Sequence, residues 1–173
     1  MSSSGLLINV IKKSAELMEY EGFTVMGFTL DQLSNLEKTF RLLGAKPERP
    51  VIHFNNQSYF VHKDPPHLLK CARNLLMKKD VYVPGEQGKA SWSHIEKLHE
   101  IDTKNSLRLC PKLTDKHIHG LKFGSSMKVI LAAQVLSHSV SSGFLYVKSY
   151  NLMDGDILTT VAFCKKIMIS LML

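Results

Sequence analysis

The sequence has little that commits a protein to a chemistry by itself. Its three cysteines, Cys71, Cys110 and Cys164, are odd in number, widely separated and form no CxxC pair. That excludes a disulfide framework and fits a reduced intracellular compartment. There is no Gly-x-x-x-x-Gly-Lys-[Ser/Thr] loop, no Gly-x-Gly-x-x-Gly and no Gly-x-Ser-x-Gly elbow, so no P-loop, dinucleotide fold or serine hydrolase is written locally. The eight histidines lack the paired spacings of zinc sites. His67 and Cys71 are four apart, with His62 before them, but a convergent fourth ligand is missing. Met1-Ser-Ser-Ser-Gly5 has no basic n-region, and Asn9, Lys12 and Lys13 interrupt the apolar run that follows, which argues against a signal peptide.

Long hydrophobic runs are also missing. The longest stretch without a charged residue, Val129 to Val147, carries Gln134, His138 and four serines, and reads as a buried helix followed by a loop. The apolar end from Val161 to Leu173 is too short to span a bilayer and contains Lys165 and Lys166. No membrane partner is expected. There is no block of five or more like charges either, so the surplus of 22 basic over 15 acidic residues is spread along the chain. A net charge of +7 still favours a polyanionic partner such as nucleic acid or nucleotide.

What is present is a globular composition. At 173 residues and 45% hydrophobic content, the chain makes one large domain or two small ones with a packed core. The stretch from Gly22 to Gly44 organises it. Phe23 to Leu30 is rich in β-branched and aromatic residues and reads as a buried strand; Leu36, Phe40 and Leu43 then recur at helical spacing. Asp31 therefore sits where a strand ends and a helix begins. Ser34 and Glu37 have the spacing of a capping box, which leaves Asp31 available for metal or catalysis beyond the carboxyl end of its strand. Upstream, Leu7, Val10, Ile11, Ala15 and Met18 share one face of an amphipathic helix that Gly22 stops. Helix, strand, helix is the grain of a mixed or parallel α/β sheet.

Downstream, Val51 to Asn56 reads as a short strand or turn, with Asn55-Asn56 the turn signal. Ser58 to Lys63 is a second strand. Asp64 and Pro65 then stand as N-cap and first residue of a helix with an apolar stripe at Leu68, Leu69, Ala72, Leu75 and Leu76; Lys70, Arg73, Lys78 and Lys79 fall mainly off it. Val81 to Lys89 is a loop with strand-like edges. Ser91 to Ile101 is a helix with a capping box at Ser93 and Glu96, and Trp92, Ile95 and Leu98 facing inward. Asp154-Gly-Asp156 opens a last helix.

Several of these runs carry a family resemblance. Asp31-Gln-Leu-Ser-Asn35, Phe40-Arg-Leu-Leu-Gly44, Asp64-Pro-Pro-His-Leu-Leu-Lys70 with Arg73-Asn74, Lys112-Leu-Thr with His117-Ile118, Met127-Lys-Val with Ala132 to Val140, and Thr160 with Ala162-Phe163 occur in one order. Together they resemble the transposases of P-element type, a transposon family often joined to a THAP zinc finger. Where that family has a glycine and then a pair of asparagines after Asp-Gln, Leu33 and Leu36 stand here.

The resemblance implies an α/β fold: a partial RNase H-like core, a mixed sheet with flanking helices, over residues 1–63, followed by a mainly α-helical, GTP-binding insertion domain over 64–173, C-terminally incomplete. It places Asp31 as the second metal-binding, catalytic acid. Strand cleavage and transfer by such a core use two Mg²⁺ ions roughly 4 Å apart held by three converging carboxylates. The other two acids are expected outside these 173 residues, so catalysis by these residues alone is not expected. GTP, Mg²⁺, transposon-end DNA, a homo-oligomer and the nucleus are what the family implies as cofactors, partners and location. Lys112 and Lys116 suit nucleotide phosphates, and Asp102 or Asp115 could accept from a guanine edge. His117-Ile-His119 reads as a loop or edge that could touch phosphate or metal. The alternative is a non-catalytic, host-adopted remnant that binds DNA, nucleotide or transposase subunits. With the resemblance ending near Thr160 to Phe163, GTP affinity is expected to be absent or much weaker than in a full-length relative, and Leu158, Ile167, Ile169 and Leu171 are expected to lack a partner surface.

Overall fold

The computed structural model describes residues 3–31, 34–119, 125–153 and 156–172. The chain divides into two compact units, 1–67 and 68–173.

The first unit opens with helix α1 (Ser3–Tyr20), strand β1 (Gly27–Leu30) and helix α2 (Ser34–Leu42), then strands β2 (Val51–Phe54) and β3 (Gln57–Lys63). Strand order is β1-β3-β2, with β3 parallel to β1 and antiparallel to β2. The hairpin between β2 and β3 turns on Asn55 and Asn56, both at positive φ, 51° and 58°. That is the conformation a two-residue primed turn requires and asparagine tolerates. The sheet is mixed, as expected for this half of the chain.

The strand expected over Phe23 to Leu30 is shorter than its composition suggested. A ladder needs a partner, and β3 pairs β1 only from Gly27↔Phe60 to Leu30↔Lys63. Phe23 and Met26 are left exposed. At Gly27 a Cβ would meet the Phe60 carbonyl oxygen at 2.3 Å, so glycine permits the close strand approach. Ile11, Ala15, Leu30, Phe40, Ile52, Phe54 and Tyr59 form the core. Phe54 stacks on Tyr59 at 4.2 Å, and Phe28 packs on Tyr59 at 5.6 Å, within the range where ring pairs add stability beyond area burial. On α1, Ile11 and Ala15 are buried as expected, but Val10 and Met18 are exposed; the apolar stripe is wider than the surface it covers.

Helix α3 (Pro65–Lys78) begins at the end of the first unit. The second unit continues through β4 (Val81–Tyr82) and β5 (Lys89–Ala90), an antiparallel pair. It then adds helices α4 (Trp92–Thr103), α5 (Asp115–Ile118), α6 (Val129–Val135), α7 (His138–Ser149) and α8 (Ile157–Met172). Its core includes Leu76, Trp92, Ile95, Leu98, Leu113, Val135, Phe144, Val147, Ile157 and Val161. Trp92, Ile95 and Leu98 face inward, as their spacing requires.

Three expectations are corrected here. The segment after Val135 is no loop: after a break at Leu136 and Ser137, α7 runs twelve residues, burying Val140, Phe144 and Val147. Helices α6 and α7 together pass a membrane-span test by length and composition alone, yet their apolar face lies in this core. Glycine at 143 allows the approach, since a Cβ there would lie 2.6 Å from the Cys110 sulfur. Helix α4 is capped from Ser91, with no side-chain cap bond and no Ser93–Glu96 box. Arg73 is fully buried on α3, while Leu75 in the expected apolar stripe is 40% exposed. The expected Ser34 box and the Asp154-Gly155 helix start lie outside the described side chains and residues. Leu158 and Ile169 are exposed and Ile167 packs against the core; the Leu171 side chain lies outside the described part.

Candidate functional site

Asp31 follows the last residue of β1, and its carboxylate is 59% exposed. Its Oδ1 lies 2.6 Å from His67 Nδ1 on the first turn of α3, so the acid is held, not merely left over by helix capping. Asp64 positions that histidine: its Oδ2 accepts from the His67 backbone N–H at 3.1 Å, and its own N–H donates to the Leu30 carbonyl at 2.9 Å. Asp64 is thus the N-cap of α3, as read from Asp-Pro. The Asp64-x-x-His67 turn clamps the end of β1 twice, at the backbone of Leu30 and at the side chain of Asp31. Beside it, Lys63 Nζ pairs with Glu37 Oε1 at 2.7 Å.

Two hard Mg²⁺ ions need several convergent oxygens. Asp31 offers one carboxylate, already bonded to an imidazole, and among the described residues no three His, Cys, Asp or Glu side chains converge on a metal position. Asp31 therefore fits as a single ligand of a larger site. The described residues do not make up a two-metal centre, and no hydrolytic step is assigned to them.

In the second unit two of the polar residues singled out in the sequence, Asp102 and His117, are used structurally. Asp102 is 0% exposed: its carboxylate accepts from Arg108 Nε at 2.7 Å and from the Leu109 and Cys110 N–H groups at 2.6 and 3.2 Å. A carboxylate so occupied has no capacity for a guanine edge, which removes it as a nucleotide residue. His117 lies in α5, not a loop, and is buried. Its Nδ1 accepts from the Thr114 N–H at 3.0 Å, and Nε2 donates to Gln134 Oε1 at 2.8 Å, a tautomer assigned from that network. It ties α5 to α6 and cannot reach phosphate.

Lys112 stays exposed. It lines a hollow of about 350 Å³ with Leu113, Gln134, Ser137 and Ser139, at the N-terminus of α7, where Ser137 Oγ accepts from the Val140 N–H. A lysine, two hydroxyls and the positive end of a helix are donors suited to an anion. Lys116 and Asp115 are exposed on α5. Burial pushes the Cys110 thiol up to about 11, with nearby Asp102 adding to the shift, and burial pushes Cys164 up to about 12. Neither is a reactive thiolate at neutral pH.

Two buried groups escaped the sequence reading. Arg73 donates from Nε to Asn74 Oδ1 at 2.7 Å and from NH2 to the Ser126 carbonyl at 2.8 Å, with NH1 unpartnered; its only advance signal is its place one turn before Leu76. His99, on the inner side of α4, carries an Nε2 with no hydrogen-bond partner, and follows the inward Leu98.

A strand ending in an exposed acid, followed by a helical unit capped from Asp64, defines a two-part α/β-then-α protein, and comparison places it. The chain belongs to the TNP-like GTP-binding insertion domain family, whose profile matches residues 66–170, more than half of the chain and past Phe163. Its fold is similar to that in the Drosophila P element transposase strand transfer complex: TM-score 0.77 at 23% identity, over 96% of this chain and 37% of that chain. The chain therefore spans well under half the length of that transposase. No curated protein matches the sequence.

Proposed function

We propose that the chain is part of a P-element-type DNA transposase, with residues 1–63 in its RNase H-like catalytic domain and 64–173 in its GTP-binding insertion. The observation that carries this is one continuous fold match over 96% of the chain, spanning both compact units, with the insertion family matching 66–170. In this reading Asp31 is one of the acids that hold Mg²⁺ in the whole protein, and it contributes a metal ligand kept in orientation by His67. The remaining acids come from elsewhere in the transposase. DNA is the substrate of strand cleavage and transfer, the nucleus is the working compartment, and the +7 charge supports weak, salt-sensitive DNA binding. GTP is the nucleotide, with Lys112 and the α7 N-terminus facing its phosphates.

Isothermal titration of the chain with GTP and ATP tests the reading. GTP binding preferred over ATP, weakened about tenfold by Lys112→Ala with unchanged thermal stability, is the expected result; tenfold corresponds to about 1.4 kcal/mol. Equal binding of both nucleotides would falsify it.

A further inference from the structure

We propose that His99, Asp115 and His119 form a site for a divalent transition-metal ion of the zinc type, apart from both Asp31 and Lys112. His99 is 6% exposed and forms part of the wall of a hollow of about 640 Å³ that also presents Glu96, Glu100, Asp115 and His119. Its Nε2 is buried without a hydrogen-bond partner, a costly state for a ring nitrogen. The nearest carboxylate oxygen, Asp115 Oδ1, stands 3.5 Å away. That is long for a hydrogen bond, but two ligands each ~2.1 Å from one tetrahedral ion lie roughly 3.4 Å apart.

His119 follows Asp115 by four residues, and its N–H donates to the Asp115 carbonyl at 2.7 Å, so the two side chains leave adjacent turns on one side. In the present rotamers no three such groups among the described residues converge; a rotamer change of the exposed His119 side chain supplies the third ligand, and water the fourth. Burial, the largest cause, holds the His99 imidazole below its usual range and hence neutral, the ligating form. Imidazole with carboxylate suits zinc-like ions better than Mg²⁺ or Ca²⁺, which prefer oxygen alone. Glu96 and Glu100 on the rim favour a dication; Lys97 opposes it.

The test is titration of the EDTA-treated chain with Co²⁺, read by visible d–d absorption, followed by displacement with Zn²⁺ in the calorimeter. One equivalent with a tetrahedral band is expected. Asp115→Asn and His119→Ala, both at exposed positions, are expected to weaken binding at least about tenfold each with the circular dichroism spectrum unchanged, as loss of a ligand requires. Absence of saturable binding overturns the proposal. So does binding that both substitutions leave unaltered, which would place the metal elsewhere.

Discussion

The two units use their polar residues in opposite ways. In the first, a small aromatic core supports a sheet whose end presents a mostly exposed Asp31 carboxylate, paired with His67. In the second, buried Asp102, Arg73 and His117 are consumed in tying loops to helices. A charged residue that looks chemical in sequence is therefore structural where the chain must bury irregular backbone, and available where it stands at the end of a strand.

The sharpest way to break this contrast is to remove one acid from each unit. Asp102→Ala strands the buried Arg108 bond and two N–H groups, and is expected to destabilise the second unit by about 3–5 kcal/mol in urea denaturation. Asp31→Asn, at a mostly exposed site, should change stability by no more than about 1 kcal/mol. Equal effects would show that Asp31 is structural too. Next in size, Gly27→Ala forces a Cβ against the Phe60 carbonyl; a cost of about 1–3 kcal/mol is expected, with faster amide exchange confined to β1 and β3.

Acid sharpens the comparison further. Burial is the largest cause that lowers the His94 and His99 values below 6.5, so the unfolded chain takes up these protons first. Their contribution is complete above pH 6.5 and is lost as pH falls below it through the folded values. Protection factors against hydrogen exchange should therefore fall in the second unit before the first on acidification; simultaneous loosening would contradict it. The smallest effect concerns thiols. At pH 8, partly exposed Cys71 should react with a thiol reagent while buried Cys110 and Cys164 stay unreacted until unfolding. Above their ordinary value of 9 the neutral buried thiols begin to cost stability, and the loss continues as pH rises toward about 11 and 12. Rapid labelling of three thiols at pH 8 would sink this.

Much of the framework was legible because its signals are local. Asp64-Pro65 announced a cap, Asn55-Asn56 a turn, and the period of Trp92, Ile95 and Leu98 a buried helix face. These depend on backbone conformations and spacings that a few neighbouring residues set. The ordered short motifs pointed to P-element-type transposases for a similar reason, and the family match over 66–170 agrees with them.

Tertiary structure alone decided the rest. β1 begins only at Gly27 because its ladder with β3 forms from Gly27 to Leu30 and no further upstream. Arg73, off the apolar stripe by periodicity, is buried because α3 meets the Ser125–Met127 turn on that side. Asp102 and His99 have ordinary settings in or beside a helix in sequence, and His117 reads as lying outside any helix; whether each is a surface charge, a tie or an unfilled ligand depends on which distant backbone arrives beside it. Burial of a polar side chain is a property of two segments at once, whereas a one-segment reading carries only its period and its caps.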